Sequence, residues 1–199
     1  AMGLIGGTVS ELNTKTDIVV LGAYSTDKIV GIYSIASLIF EGLSLVPQVL
    51  RNIINPMIAR AAASSDGHVF SNTIRQARWA ATALSLLGAV VIGLLFGPFV
   101  HVAFGDPSFL EAFPALIILM LGLVLTAPWA PLDMLFSQAN RPLKQSLFKG
   151  GIFATNLVLN IALVPYFGMI GAAVATACAQ VAGVILLKVM ARRHLSFRV

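Results

Sequence analysis

Charged residues are scarce in this chain, and so are cysteine and histidine. Only 11% of the 199 residues are Asp, Glu, Lys or Arg, against roughly one quarter in an ordinary soluble domain. Cys178 is the single cysteine, which excludes a disulfide framework and a cysteine metal site within the chain. His68, His101 and His194 are too far apart in sequence for the paired ligands of a helical zinc motif. We therefore expect no metal and no cofactor.

Motifs of soluble enzymes are missing as well. No glycine-rich phosphate loop followed by Lys and Ser or Thr occurs in the sequence. The stretch from Ser146 to Lys149 matches the SxxK pattern of penicillin-binding enzymes, but the companion SDN and KTG elements are absent. A four-residue match of this kind arises by chance, so we expect a protein that is not an enzyme.

Apolar residues dominate instead, at 58% of the chain. The net charge of +5 and the pI of about 9.8 would suggest nucleic acid as a partner of a soluble protein. In a membrane protein the same excess more simply reflects cationic loops on one side of the bilayer. We therefore expect a polytopic membrane protein whose surroundings are the lipid bilayer, with no nucleic acid as a partner.

Six stretches meet the criterion of about 20 apolar residues for a membrane-spanning helix. Turn signals separate several of them, at 25–28, 105–108 and 164–168. Prolines lie inside the second and fourth stretches, where they kink a helix and free backbone carbonyls. The prediction is an all-α fold, a six-transmembrane-helix bundle forming one domain over 1–199, with spans at about 2–24, 29–63, 79–104, 109–137, 143–163 and 169–190.

Loop charges predict the orientation of this bundle. With alternating spans, one side receives most of the cations, including Arg75, Arg78, Lys144, Arg192 and Arg193, whereas the other receives Asp27, Lys28, Asp106 and Glu111. The positive-inside rule places the cationic side in the cytoplasm. Both termini are therefore expected to be cytoplasmic.

The first two spans carry charges at depths where hydrocarbon is expected. These residues are Glu11, Lys15, Asp17, Glu41 and Arg51. Glu11 and Lys15 are four residues apart and can pair on one helix face, whereas Asp17 lies about 160° around the axis from Lys15. Asp17 therefore needs a proton, a cation or a donor from a neighbouring helix. Charges in such positions are functional-site candidates, although a self-satisfied pair is an equally open interpretation for Glu11 and Lys15.

Polar residues within the spans fall on shared helix faces. On the second span the row consists of Ser34, Ser37, Glu41, Gln48, Asn52 and Asn55, and on the fifth of Gln145, Lys149, Asn156 and Asn160. Asp133 lies on a similar face of the fourth span with Thr126, Ser137 and Asn140. Single residues of this kind often hydrogen-bond between helices. A row that crosses the whole bilayer with an acid near its centre favours a water-lined face.

Several ordered elements resemble one transporter family. They are D-x-x-x-L-G at 17–22, V-G-I-Y-S-x-A at 30–36, N-P at 55–56, N-R-P at 140–142 and Y-F-G-x-x-G-A-A at 166–173. Together they resemble the C-terminal half of a polysaccharide flippase, which handles O-antigen or exopolysaccharide repeat units. Such flippases belong to the multidrug/oligosaccharidyl-lipid/polysaccharide (MOP) exporter superfamily, and the likeness covers nearly all of the chain.

This resemblance implies one lobe of a MATE-like transporter with two six-helix lobes and alternating access, in the bacterial inner membrane. The N-terminal lobe is not in this sequence, so a separate half or self-association is expected to complete the cavity. The implied substrate is an undecaprenyl-diphosphate-linked oligosaccharide. The candidate substrate-binding residues are Lys15, Gln48, Arg51, Asn52, Asn55 and Asn156, and the candidates for H+ or Na+ coupling are Glu11, Asp17 and Glu41.

Two other functions remain open on the sequence. A cation-coupled multidrug exporter lobe of the same superfamily would use acids in its cavity without Lys15 and Arg51, so these cations favour an anionic substrate. A membrane scaffold subunit without transport activity would use the polar rows only to join helices. Water access at Gln48 and Asn156 distinguishes this scaffold from a transporter.

Overall fold

The structure, a computed structural model, describes residues 15–63, 67–138 and 141–194. No β-strand occurs in these ranges. The helix α1 is described over 15–24, and the helices α2 and α3 follow at Asp27–Ala63 and Gly67–Ala103. Then come a 3-10 helix at Pro107–Ala112, α4 at Phe113–Thr126, a second 3-10 helix at Ala127–Leu132, the short α5 at Leu135–Gln138 and the long α6 at Pro142–His194.

The helix α3 is longer than its hydropathy indicates, whereas α2 matches its apolar stretch closely. The predicted second span, 29–63, agrees with α2 within two residues at its start, and the helix continues through Pro47 and Pro56. The predicted spans leave the polar stretch 64–78 between them, and α3 already begins within it, at Gly67. Hydropathy measures compatibility with lipid, and a polar stretch can still be helical.

Prolines shape the fourth apolar segment. Asp106 precedes Pro107 and its carboxylate accepts a hydrogen bond from the backbone N–H of Ser108, at 2.8 Å. Pro114 lies in the first turn of α4, where a missing N–H removes no helical hydrogen bond. Beyond Thr126, a sequence with Pro128 and Pro131 tightens into the second 3-10 helix. The chain then turns at 133–134, so Asp133 stands just outside a regular helix.

The helix α6 is broken at Gly168, which has φ 53° and ψ −131°. We call 142–167 the first arm and 169–194 the second arm. The two arms fold back on each other and pack closely at two glycines. A Cβ atom added to Gly171 would lie 2.6 Å from the carbonyl oxygen of Leu163, and one added to Gly183 would lie 2.9 Å from the Ile152 side chain. Gly171 and Gly183 are thus points of close packing between the two arms.

The core lies where α1, α2, α3, α4 and α6 meet. Its fully buried side chains include Leu21, Tyr33, Leu116, Leu119 and Val164. Lipid tails are as apolar as leucine, so helices in a bilayer associate mainly by close packing and polar contacts. Gly122 provides such a contact, since a Cβ added there would lie 2.8 Å from the Cβ of Ala177 on the second arm. By contrast, no described atom lies within 4 Å of a Cβ added to Gly93 or Gly97 on α3.

Four segments of the described chain are long and apolar enough to cross a membrane: Asp27–Met57, Ser71–Ala103, Pro107–Leu132 and Pro142–Ala191. The predicted count of six helices is not supported. The predicted first span, 2–24, lies largely outside the described residues, and the predicted fifth and sixth spans fall within the single element α6.

The outer surface is strongly apolar. Only 17% of the most apolar part of α3 is buried against other helices, and side chains such as Leu87, Leu94 and Leu95 are exposed along it. Soluble monomeric proteins rarely expose contiguous apolar patches of this kind. With the four apolar segments, this surface is that of an all-α membrane protein.

Candidate functional site

Asp17 is buried between α1 and α2. Only 3% of its surface is exposed. Its carboxylate accepts a hydrogen bond of 2.5 Å from the hydroxyl of Tyr33 and one of 2.9 Å from the backbone N–H of Ile18. The geometry of α1 required a partner other than Lys15, and a donor from the neighbouring helix is what the structure provides. Tyr33 is itself fully buried, so this contact fixes α1 against α2.

Lys15 and Glu41 form an ion pair on the outside of the same two helices. The Nζ atom of Lys15 lies 2.7 Å from Oε1 of Glu41, and the Lys15 side chain is 57% exposed. Glu11, the partner considered for Lys15 in the sequence, lies outside the described residues. The structure therefore places Lys15 and Glu41 together and separates both from Arg51.

One cavity, which we call the larger cavity, lies between α2, the end of α4, the 3-10 helix Ala127–Leu132 and both arms of α6. Its volume is about 240 Å³, and Ser44, Gln48 and Arg51 form its α2 wall. Gln48 is exposed and donates to Ser44 Oγ at 3.4 Å. Two of the predicted binding residues, Gln48 and Arg51, thus face one cavity.

A three-residue ion cluster lines this cavity and consists of Arg51, Asp133 and Lys149. Arg51 Nη1 donates to Asp133 Oδ2 at 2.8 Å. Lys149 Nζ donates to both carboxylate oxygens of Asp133, at 2.8 and 2.7 Å. Each of the three side chains is less than one quarter exposed. The cluster joins three elements and carries one more cation than anion.

Gln145 holds Asp133 in place through the backbone. Its Nε2 donates to the carbonyl oxygen of Asp133 at 2.8 Å, and its Oε1 accepts from the backbone N–H of Ser137 at 3.3 Å. Gln145 and Lys149 are four residues apart on the first arm, so they share a face, as the helical spacing predicts. One contacts the backbone of Asp133 and the other its carboxylate.

Two further cations lie against the indole of Trp129, which also lines the cavity. Lys188 Nζ is 4.2 Å and the guanidinium carbon of Arg78 is 5.1 Å from the ring centroid. Neither forms an ion pair with a described residue. Cation–π contacts at such distances stabilise a positive charge that has no carboxylate beside it. The wall around Trp129 therefore has a local excess of positive charge.

A smaller cavity of about 60 Å³ lies next to the first. Its polar lining consists of Asp17, Ser37, Thr176 and Gln180, and Gln180 and Ile152 also line the larger cavity. Gln180 Oε1 is buried and no described group donates to it. Carboxylate, hydroxyl and amide oxygens are the ligands of hard cations. The volume exceeds that of one water molecule, so the space admits a small cation or a protonated carboxyl group with water.

The remaining predicted residues lie apart from the ion cluster. Asn156 is 1% exposed, and its backbone carbonyl oxygen and its Oδ1 both accept hydrogen bonds from Nδ2 of Asn160. Asn52 is exposed on α2, and Asn55 has a buried Oδ1 without a described donor. None of these three lines either cavity. Their proposed role in binding remains a prediction.

The importance of Asp133 and Lys149 was not predicted from the sequence. Both were noted on polar helix faces, but neither was assigned a role in binding or coupling. A signal was available, because both are charges next to long apolar stretches, as Arg51 is. Their meeting depends on the turn at 133–134 and on the packing of three elements, which spacing along one helix does not show.

No group of three or more His, Cys, Asp or Glu residues that could hold a metal ion occurs in the part of the chain that the structure describes. Comparisons with protein-family models, with curated proteins and with solved structures found no match to this chain.

Proposed function

We propose that this chain takes part in membrane transport, as one lobe of a flippase that moves lipid-linked oligosaccharide or polysaccharide repeat units across the bacterial cytoplasmic membrane by alternating access. The observation that supports it is the Arg51–Asp133–Lys149 cluster on the wall of a cavity within an apolar bundle. Charges at such depth are costly and are usually retained where they meet a ligand, water or one another. An excess of cations favours an anionic group such as the diphosphate of an undecaprenyl-diphosphate carrier.

The proposed lobe has six crossings. The apolar stretch Pro142–Ala191 has 50 residues, which as one straight helix would measure about 75 Å, more than twice the hydrocarbon thickness of roughly 30 Å. The break at Gly168 supports two crossings for this stretch. With α1 as a further crossing, both termini would be cytoplasmic. A second lobe, from a separate half or a second copy, would then complete the central cavity.

Asp17 is the proposed site of coupling to H+ or Na+. It is the buried acid of the smaller cavity, where Ser37, Thr176 and Gln180 add neutral oxygens. Glu41 is a weaker candidate, because Lys15 already neutralises it at the surface. Exchanging Asp17 for Asn should abolish dependence of transport on the ion gradient, whereas Glu41→Gln should reduce transport less.

Complementation tests the transport function. The chain is expressed alone and with a matching N-terminal half in a bacterium that lacks its own O-antigen flippase, and surface polysaccharide is measured. Rescue should be lost with Arg51→Gln and retained with Lys28→Gln, a cation exposed at the start of α2. Equal rescue by both variants would contradict a role for the cluster in substrate binding.

A cation-coupled multidrug exporter lobe is the second candidate, and Asp17 is the observation that favours it. Drug exporters of this kind bind cationic or neutral compounds, so Arg51→Gln should leave drug resistance intact and Asp17→Asn should abolish it. The opposite order of sensitivities supports the flippase. A scaffold subunit without transport would be insensitive to both exchanges as long as the protein reaches the membrane.

A further inference from the structure

Asp133 is the one acid among the described residues that line the larger cavity, and it is bonded by two cations at once. Lys149 contacts both of its oxygens and Arg51 contacts one. This is the contact pattern that a phosphate group receives from Lys and Arg side chains. The carboxylate thus occupies a position between two cations that an oxyanion of a ligand could also occupy.

The cluster also has hydrogen-bonding capacity that Asp133 does not use. Arg51 Nε is buried and no described group accepts from it. The cations over Trp129, Lys188 and Arg78, add positive charge at the same wall. A group with more oxygens and more negative charge than one carboxylate would therefore satisfy this wall better than Asp133 does.

The position of Asp133 allows its replacement. It lies in the turn at 133–134, between a 3-10 helix and the short α5, where its backbone bonds to Gln145 and Ala130 and leaves the side chain free to rotate. Its carboxylate contacts only Arg51 and Lys149 among the contacts described for it. A cavity of about 240 Å³ is slightly smaller than a typical drug-sized site, and so suits a head group rather than a whole oligosaccharide.

We propose that Asp133 is a displaceable internal counter-ion: Arg51 and Lys149 release it and bind the phosphate or diphosphate group of a ligand in its place. This deepens the proposed function and rests on it for the source of the phosphate. In the unloaded protein Asp133 neutralises part of the charge of the two cations. On loading it competes with the ligand, which lowers affinity and speeds release.

Competition of this kind predicts that neutralising Asp133 and neutralising Lys149 have opposite effects on anion affinity. Asp133→Asn should tighten binding of inorganic pyrophosphate about tenfold, and Lys149→Gln should weaken it about tenfold, as expected for one partly screened charge a few ångströms away. The double variant has the net charge of the wild type, so its affinity should return to near the wild-type value. The matched control, Lys28→Gln, should change nothing.

The measurement is titration calorimetry of the 199-residue chain in phosphatidylcholine nanodiscs. Because Asp133→Asn alone leaves two cations together and could prevent folding, the comparison is also made in the Lys149→Gln background, where Arg51 is the remaining cation of the cluster. If adding Asp133→Asn to the Lys149→Gln background tightens pyrophosphate binding, the result supports the role of Asp133 as a counter-ion. Unchanged or weaker binding, or no pyrophosphate binding by any variant, overturns it.

A second measurement identifies the source of the phosphate. If polyprenyl diphosphate in the nanodisc raises the apparent Kd for pyrophosphate, the group enters on a lipid; if it does not, the site takes phosphate from water. Both results presuppose the competition with Asp133. Failure of complementation together with the expected shifts in Kd would remove the flippase function and leave the counter-ion intact, whereas rescue without those shifts would do the reverse.

Discussion

At the scale of single residues, the three members of the ion cluster differ in the charge that their removal leaves uncompensated. Removing Asp133 leaves Arg51 and Lys149 close together without an anion, whereas removing Lys149 leaves an intact Arg51–Asp133 pair. Breaking a buried pair costs roughly 3 kcal/mol or more because a charge remains uncompensated, and partial exposure reduces this figure.

We therefore predict that Asp133→Ala destabilises the folded protein by about 2 kcal/mol, and Lys149→Met by clearly less. The measurement is thermal unfolding in detergent, followed by tryptophan fluorescence. Lys15→Met is the matched control, since its pair with Glu41 lies at the surface and such pairs contribute little. A larger loss for Lys149→Met than for Asp133→Ala would contradict this ranking.

Asp106 provides a pH-dependent cap outside the apolar segments. The hydrogen bond from the backbone N–H of Ser108 holds the pKa of the Asp106 carboxyl below its ordinary value. Its stabilising effect is thus complete above the ordinary pKa of about 4 and is lost as the pH falls through the lower folded value. Amide exchange at Ser108 should accelerate on acidification in the wild type relative to Asp106→Asn, which keeps an acceptor that does not titrate. Parallel pH profiles would show that the cap does not protect this amide.

At the scale of helices, close glycine contacts decide where a side chain is tolerated. A Cβ at Gly122 would meet Cβ and Cα of Ala177 at 2.8 and 2.9 Å, whereas one at Gly93 would meet nothing within 4 Å. Gly122→Val should cost about 1–3 kcal/mol by overpacking, and Gly93→Val should cost much less. Thermal unfolding of the two variants compares them directly. Equal losses would mean that α4 and the second arm can separate without cost.

The turn at Gly168 depends on a backbone conformation that residues with a Cβ rarely adopt. Its φ of 53° with ψ −131° should make Gly168→Ala destabilising by about 1–2 kcal/mol. Gly150→Ala on the first arm is helical and has open space around its Cβ, so it should be neutral or slightly stabilising. If both variants melt alike, the two arms do not need this turn to stay folded back.

The helices could be predicted from the sequence only where apolarity and helicity coincide. The limits of α2 follow from apolarity at 29–63, but the polar start of α3 does not, because residues 67–78 are helical without being apolar throughout. The angle of Asp17 on α1 predicted that it needs a partner other than Lys15, and left open a proton, a cation or a donor from another helix. The identity of Tyr33 as the donor, and the meeting of Arg51 with Asp133, depend on packing between helices and so could not be predicted from periodicity.

At the scale of the whole molecule, water is expected to reach the larger cavity. Gln48 lines it, whereas Leu38 is an exposed apolar residue of the same helix that lines neither cavity. Cys178 is exposed and has to be replaced by Ala first. We predict that a water-soluble maleimide labels Gln48→Cys in intact membranes at least about tenfold faster than Leu38→Cys, because thiolate formation requires water.

Asn156, which the sequence also marked for labelling, is unsuitable because it is buried within the bundle. Equally slow labelling of Gln48→Cys and Leu38→Cys would favour a scaffold, in which polar rows join helices. Fast labelling of Gln48→Cys that becomes slower with pyrophosphate would show that water and the proposed anionic ligand reach the same wall.

The two cavities have one partition in common, formed by Gln180 and Ile152. A ligand that reorients Gln180 on one side also alters the lining of the other side. If a cation binds near Asp17 and an anion binds at the Arg51–Lys149 wall, as proposed, thermodynamic reciprocity requires that each changes the affinity for the other by the same factor. Gln180→Leu should then reduce this coupling, because Gln180 lines both cavities.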